Sequence, residues 1–411
     1  MPAEKIDTRC CIVGGGPAGI MLGYLLARAG VPVIVLEKHA DFLRDFRGDT
    51  VHPSTLQIVD ELGLLQKFEQ LPQRRIDHLG VQIGSRLQQG VDFRGLRPFP
   101  YLSLVPQWDF LDLLADEGRR LAPFDLRLQH EAFGLVKENG RVCGVLVKSP
   151  TGEIEIRADL VVACDGRNSI LREAAGLHAQ DYGAPMDVLW FRMPRLESDP
   201  EDTFGIIGAG RMMVLLNRNT YWQAAYLVPK GGDADLRAQP VDNLRAAIVD
   251  MAPFFVNRAH LPAAWDDVKT LEVRVDRLPC WHQPGLLLIG DAAHAMSPVG
   301  GVGINLAIQD AVAAANMLAV PLRDGLAIEA SLLQKIEARR LPAVKLVQAV
   351  QLQIQRRIIS RALAQSGKLP QVPPWLRWLL RFRAMRQLPA RLFGYGYRQE
   401  HVRVDLLRSM H

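Results

Sequence analysis

The five cysteines of this chain have no pairing arrangement. Cys10, Cys11, Cys143, Cys164 and Cys280 form no CxxC, no zinc-ligand spacing and no even disulfide framework. That excludes a stapled extracellular scaffold and makes reduced thiols in the cytoplasm the expectation. No apolar run reaches the roughly 18 residues of a spanning helix. The apolar start is broken by "GGGPAG" and lacks a small-residue cleavage site, which argues against a secretory leader. Adjacent Cys10 and Cys11 are expected on opposite faces of a strand, as core residues and not redox partners. Charged residues make up 23% and apolar residues 48% of the 411 positions, ordinary values for a globular protein with room for two or three domains.

Charge is unevenly spread. From Ser331 onward 16 Lys and Arg face 3 Asp and Glu, a net of +13; the first 330 residues hold 33 basic and 41 acidic residues, a net of −8. A basic tail on an acidic body can meet that body, a membrane or a nucleic acid. "WLRWLLRFRAMRQLPARLFGYGYR" mixes Trp, Leu and Phe with Arg in the manner of an interfacial helix. Peripheral membrane contact therefore stands beside the simpler expectation that the tail helices cover the acidic body. No nucleic-acid module accompanies the charge, so no nucleic-acid partner is expected.

What the sequence does contain is two glycine-rich turns. "KIDTRCCIV" reads as a buried strand, "GGGPAG" sets Gly14, Gly16 and Gly19 at GxGxxG spacing with Ala18 between, and "IMLGYLLARAG" has helical periodicity. A second strand, "VPVIVLEK", ends at Glu37, 18 residues after Gly19. Gly14 permits the tight turn, Gly16 lets backbone approach a pyrophosphate, and Gly19 allows close helix packing. The helix N-terminus offers free N–H groups to phosphate, and Glu37 can accept from ribose hydroxyls. An acid at that place disfavours a 2′-phosphate.

The second turn lies in "LLLIGDAAHAMSPVGGVGINLAIQDA". If "LLLIG" is another parallel strand of the same sheet, Gly290 and Asp291 emerge at its carboxyl end, where open α/β sheets bind ligands. Pro298, Gly300, Gly301, Gly303, Ile304 and Asn305 would then bring bare backbone and a helix N-terminus to a flat ring, with the positive end stabilising charge on a reduced flavin. The two turns read as binding one elongated ligand, FAD, and not two nucleotides.

Three motifs, "GGGPAG", "CDGRNSILRE" and "GDAAHAMSPVGGVGIN", occur in the order and spacing of the single-component FAD-dependent aromatic hydroxylases. Over residues 5 to 320 the chain resembles the para-hydroxybenzoate hydroxylase fold group. The resemblance implies an α/β fold: a Rossmann-like FAD-binding domain, an antiparallel-sheet substrate domain and a helical C-terminal region. It implies that Asp165 and Gly166 mark a segment serving FAD and reduced nicotinamide, that Arg47 lies at the flavin entrance on the pyridine-nucleotide path, and that Gln107 is a polar flavin contact. Ser297-Pro298 stands where the family usually has two prolines. The implied reaction is hydroxylation of an aromatic or phenolic small molecule by NADH or NADPH and molecular oxygen, through a flavin C4a-hydroperoxide.

The resulting division is FAD-binding segments at 1–80, 106–182 and 276–325, substrate-domain strands at 81–105, an antiparallel substrate sheet at 183–275, and a basic helical region at 326–411. Within that sheet Trp190, Arg192, Met213 and Trp222 are candidate substrate contacts, with plain core as the blander role. His52 and His294 are candidate bases, with loop fixing by hydrogen bonds as the simpler role; no catalytic base is assigned. No metal site is expected. "RGD" at Arg47 to Asp49 does not read as an adhesion motif in a reduced-thiol chain. Two alternatives remain: an FAD-dependent reductase or dehydrogenase of an isoprenoid-like substrate that inserts no oxygen, and a flavin-binding membrane-docking or regulatory protein.

Overall fold

In the computed structural model, residues 4–43, 50–84, 86–208, 210–364, 378, 382–403 and 406 are described. The strand Glu4–Val13 alternates in exposure at its start and is buried on both faces from Cys10 to Val13, the pattern of a central parallel strand. It lies between Val33–Glu37 and Gly152–Ala163, with Phe124–Leu128 beyond the first and Leu286–Leu288 beyond the second, all parallel. Gly152–Ala163 is long enough to pair twice on one side. Its end takes Leu286–Leu288, and its start takes the antiparallel strand Arg141–Ser149, which carries Glu131–Glu138. Cys10 and Cys11 point into different hydrophobic clusters, as adjacent strand residues must. Burial raises both thiols, Cys11 to about 12.

One face of this sheet is covered by the helix Pro17–Arg28, which packs against Gln107–Arg119 and Gly303–Arg323. The last is long and apolar enough to cross a membrane, but 78% of its most apolar window is buried inside the protein. Here it is a core helix.

A second sheet of seven strands runs Lys269–Leu271, Met186–Pro194, Tyr221–Pro229, Met212–Asn217, Phe204–Ile207, His78–Ile83 and Arg86–Asp92. Its pairings are antiparallel except between Phe204–Ile207 and His78–Ile83. The expected α/β class with a second, largely antiparallel sheet is therefore what the chain forms. Leu102–Leu104 joins neither large sheet and pairs instead with Thr50–Val51 and Arg74–Ile76. The helix Ala330–Ile354 runs through Pro342 and continues as a wider turn, Gln355–Ile359.

The tail is bound to the body by specific contacts. Arg340 reaches Asp310, Gln348 donates to the carbonyls of Asp276 and Ala295, Val402 N donates to Glu61, and Arg403 to the Asn316 carbonyl. Much of the aromatic and arginine stretch, including residues 371–377, lies outside the described residues.

Candidate functional site

Parallel register aligns the last residues of four strands: Val13 opposite both Leu36 and Ala163, and Ala163 opposite Leu288. The residues that follow must emerge side by side at the carboxyl edge. Gly14 N donates to Leu36 O at 2.8 Å, Cys164 N to Val13 O at 2.7 Å and Ile289 N to Ala163 O at 3.1 Å. Gly14 has φ of 107°, and a Cβ there would lie 2.3 Å from Cys164 O, so no other residue fits without moving backbone. At Gly19 the approach is closer still, 1.9 Å from Gly14 O. Gly16 is different, since a Cβ there would meet nothing within 4 Å. No side chain caps the helix that Gly16 opens, and helix geometry leaves the N–H groups of Ala18 and Gly19 without intrahelical acceptors. Beside them, the Glu37 carboxylate accepts from Gly15 N at 3.1 Å and His39 N at 3.0 Å.

The second glycine turn reaches the same edge. A Cβ on Gly290 would stand 3.3 Å from the Ala18 Cβ, so the turns abut. Asp291 accepts from Arg167 Nε at 3.0 Å, and Arg172 donates to the Ala292 carbonyl at 3.1 Å; the "CDGRNSILRE" segment thus grips the second glycine turn. Asp165 turns inward, where Oδ2 accepts from Leu171 N at 3.1 Å. Its Oδ1 is buried with no hydrogen-bond partner among the described residues. Burial raises its carboxyl above the usual range, against bonds from Ser169 and the Leu171 N–H. Gln107 opens the helix Gln107–Arg119. Pro298 begins the turn Val299–Gly301, in which Gly300 and Gly301 have φ of 80° and 62°. Ile304 is buried, whereas a Cβ on Gly303 would meet nothing within 4 Å.

The Asn305 side chain is wholly engaged within the protein. Its Oδ1 accepts from His52 N and Thr55 Oγ1, both at 2.8 Å, and its Nδ2 donates to Thr50 O at 3.0 Å and Gly301 O at 3.1 Å. An amide has two donors and two acceptor sites, and the protein uses all four. Asn305 clamps the glycine loop to the His52 segment, and its side chain is not free for a ligand.

Neither candidate base stands free. His52 is fully buried, and its ring shares a 2.7 Å hydrogen bond through Nδ1 with the Phe393 carbonyl, which can only accept. Burial lowers its pKa to about 4, against the raising pull of the backbone at Phe393, Gly300 and Gly301. His294 Nε2 is 2.6 Å from Asp310 Oδ2, whose carboxylate also accepts from Gly290 N at 3.2 Å and Arg340 Nε at 2.9 Å. Both histidines thus have the loop-fixing role. The Asp310 group ties the second turn to the tail, because Arg340 is 3.5 Å from Glu400, which also pairs with Arg339.

Of the four candidate substrate contacts, two are misplaced. Met213 and Trp222 are fully buried in the core between the seven-stranded sheet and the helix Val241–Met251, and Trp222 Nε1 donates to Asp199. Strand parity decides this: their side chains share the helix-covered face with Phe191 and Leu215. Trp190 lies on the other face, with Met212, Val214, Ala225 and Leu227, in the cluster that Val299 of the glycine loop also joins. Its Nε1 is buried without a partner among the described residues. Arg192 is exposed over the Tyr221 ring at 5.0 Å. Arg47 lies outside the described residues.

The C-terminal helix Arg383–Gly394 closes over this region, and a Cβ on Gly300 would be 3.0 Å from the Phe393 ring. A cavity of about 740 Å³ lies on the outer side of that helix, between Gln387, Arg391 and the Gly95–Pro98 loop; it is not the crevice at the strand ends. Phe393, Asp310, Arg340 and Arg167 escaped the sequence reading. Only Arg167 carried a local signal, its place within "CDGRNSILRE".

Two glycine turns on one parallel sheet edge, facing a second sheet, define a dinucleotide-dependent flavoprotein oxidoreductase. Residues 7–350 match the family described as FAD binding domain, and the chain belongs to that family. It is 31% identical to 6-methylpretetramide 4-monooxygenase of Streptomyces rimosus, over 99% of this chain and 97% of the relative. Identity to rifampicin monooxygenase of Streptomyces venezuelae is 29%, over 84% of this chain and 70% of that protein. The crystal structure of PqsL, a probable FAD-dependent monooxygenase from Pseudomonas aeruginosa, superposes with a TM-score of 0.75 at 21% identity, covering 87% of this chain and 98% of that one. FAD is the cofactor and reduced nicotinamide the electron donor, and the enzyme is an FAD-dependent monooxygenase.

Proposed function

We propose that the chain hydroxylates a phenolic compound with fused aromatic rings, consuming one NAD(P)H, one proton and one molecular oxygen and releasing water and NAD(P)+. The observation that carries this reading is the continuity of the sheet face around Trp190 with the glycine loop at Val299. A flat apolar substrate held against the partly buried Trp190, Met212 and Val214, beside the tail residues Ile359 and Leu363 that cover the rest of that face, would lie next to residues 298–305 and the flavin ring. The relative that acts on 6-methylpretetramide spans the whole chain and supports the same substrate class. The oxygen-free reductase and the docking protein have no comparable support.

The residues present fit FAD. The open space at Gly16 and Gly303 lies at two uncapped helix N-termini on one edge. Gly14, Gly16, Ala18 and Gly19 would hold the pyrophosphate, Glu37 the adenosine ribose, Asp291 the central polyol, and the Gly300, Gly301, Gly303 and Ile304 backbone the ring. When bound, FAD supplies the two electrons and the site of oxygen activation. The chain positions the substrate and excludes water: Phe393 covers Gly300, and Trp190 Nε1 can donate to a substrate oxygen. We assign His52 no part as a base, because burial lowers its pKa to about 4 and so makes it a weak proton acceptor. We place the enzyme in the cytoplasm, as its five free thiols suggest. Membrane contact by the tail is not part of this reading.

The test is a panel of fused-ring phenols with isotopically labelled dioxygen. Stimulated NAD(P)H oxidation with label in the product is the expected result. A compound that is converted without acquiring label would replace hydroxylation with oxygen-free redox chemistry.

A further inference from the structure

Away from the cofactor edge, three chemically different ligand groups meet at the outer margin of the parallel sheet. Cys280 and His282 flank the buried Trp281 where the chain enters the edge strand His282–Gln283, and Glu337 comes from the helix Ala330–Ile354. The Cys280 sulfur is 3.5 Å from His282 Nδ1, and that nitrogen is 3.1 Å from Glu337 Oε2. All three ligand atoms lie within 4.8 Å of one another. A tetrahedral zinc ion binds thiolate at about 2.3 Å and imidazole or carboxylate at about 2.0–2.1 Å, so its neighbouring ligand atoms stand roughly 3.3–3.6 Å apart. The cluster already has two spacings, sulfur to nitrogen and nitrogen to oxygen, close to those values. It is also sheltered, with the His282 and Glu337 side chains 14% and 12% exposed. Trp281 N donates to Glu337 Oε2 at 2.9 Å, and such an outer contact orients a metal-binding carboxylate.

We propose that Cys280, His282 and Glu337 form a zinc site, completed by a water molecule. Thiolate with imidazole disfavours magnesium and calcium, which take oxygen ligands. Binding exchanges the Cys280 sulfur–hydrogen bond for a sulfur–zinc bond and releases one proton, with no change of oxidation state. Because the thiol must lose its proton to bind, affinity increases with pH. The ion joins the sheet margin to the long C-terminal helix. Trp281, held between two of the ligands, has its ring 4.8 Å from that of His294, so the site also stiffens the wall behind the second glycine turn.

The full-length FAD-loaded protein, stripped with a chelator and dialysed, is titrated with zinc chloride and separately with cobalt(II) chloride. One equivalent of each is expected, with sulfur-to-cobalt absorption and cobalt bands in the red, where oxidised flavin is transparent. Cys280→Ser and Glu337→Gln are each expected to weaken zinc binding by more than the roughly 10- to 100-fold lost with an outer-shell partner, while keeping the flavin spectrum. Cys143→Ser retains wild-type affinity. Absence of stoichiometric uptake by the wild type, or equal uptake by the Cys280 and Glu337 variants, overturns the assignment. If a variant fails to fold, the cobalt spectrum of the unaltered protein decides: bound cobalt without a sulfur band rules the site out.

Discussion

Ala18 and Gly290, separated by most of the parallel sheet in sequence, are neighbours: a Cβ added to Gly290 would sit 3.3 Å from the Cβ of Ala18. The junction has no room for a larger side chain, because Ala307 is equally close to Gly290, at 3.4 Å. Ala18→Leu is expected to overpack it at a cost of about 1–3 kcal/mol. Protein purified from this variant should carry less FAD, read from the ratio of visible to ultraviolet absorbance. Full occupancy would mean that the two turns do not share a ligand.

Gly14→Ala should have the larger effect. The left-handed backbone and the 2.3 Å approach to Cys164 O both oppose a side chain, and such a substitution destabilises by more than about 1 kcal/mol. Calorimetry should show a lower melting temperature, with loss of bound flavin.

Asp291→Ala removes the acceptor for Arg167. Because hydrogen bonds to charged groups are worth about 1.5–3 kcal/mol, FAD affinity should fall at least tenfold if Asp291 also contacts the cofactor. Fluorescence titration of apoprotein with FAD measures it, and an unchanged dissociation constant contradicts the placement.

Burial of His52 links stability to pH. Its folded pKa of about 4 lies below the ordinary 6.5, so the unfolded chain binds the extra proton and stability declines as pH falls from about 6.5 to 4. The full effect is about 3 kcal/mol. His52→Gln should flatten that slope in denaturant melts taken at successive pH values.

Asp310 works in the same direction by another route. Burial pushes its carboxyl up, but His294 and Arg340 outweigh burial and hold it below the ordinary range. Its contribution is present above the unfolded pKa and is lost as pH falls through the folded one. Asp310→Asn leaves the buried Arg340 with only its longer 3.5 Å ion pair to Glu400 and should destabilise the protein by about 3 kcal/mol, measured by urea unfolding.

What the sequence revealed depended on how local each constraint was. Gly14 and Gly19 could be read directly because a tight turn imposes its requirement within a few residues. The split between Cys10 and Cys11 followed from strand geometry alone. Met213 and Trp222 could not be assigned a face, because parity says which residues share a side and not which side a helix covers. The clamp made by the Asn305 side chain was illegible for a related reason: its partners Thr50, His52 and Thr55 lie some 250 positions away in the chain. The union of Asp310 with Arg340 and Glu400 left no periodic or spacing signal at all.

That last union sets an order of assembly. Glu400 lies in sequence far beyond every strand of the parallel sheet, yet it backs the arginine that supports the second glycine turn. The sheet can pair its strands without this segment, but the clasp on the coenzyme matures only once Glu400 has docked. A chain cut before that residue would have every glycine in place and a slack grip on its flavin.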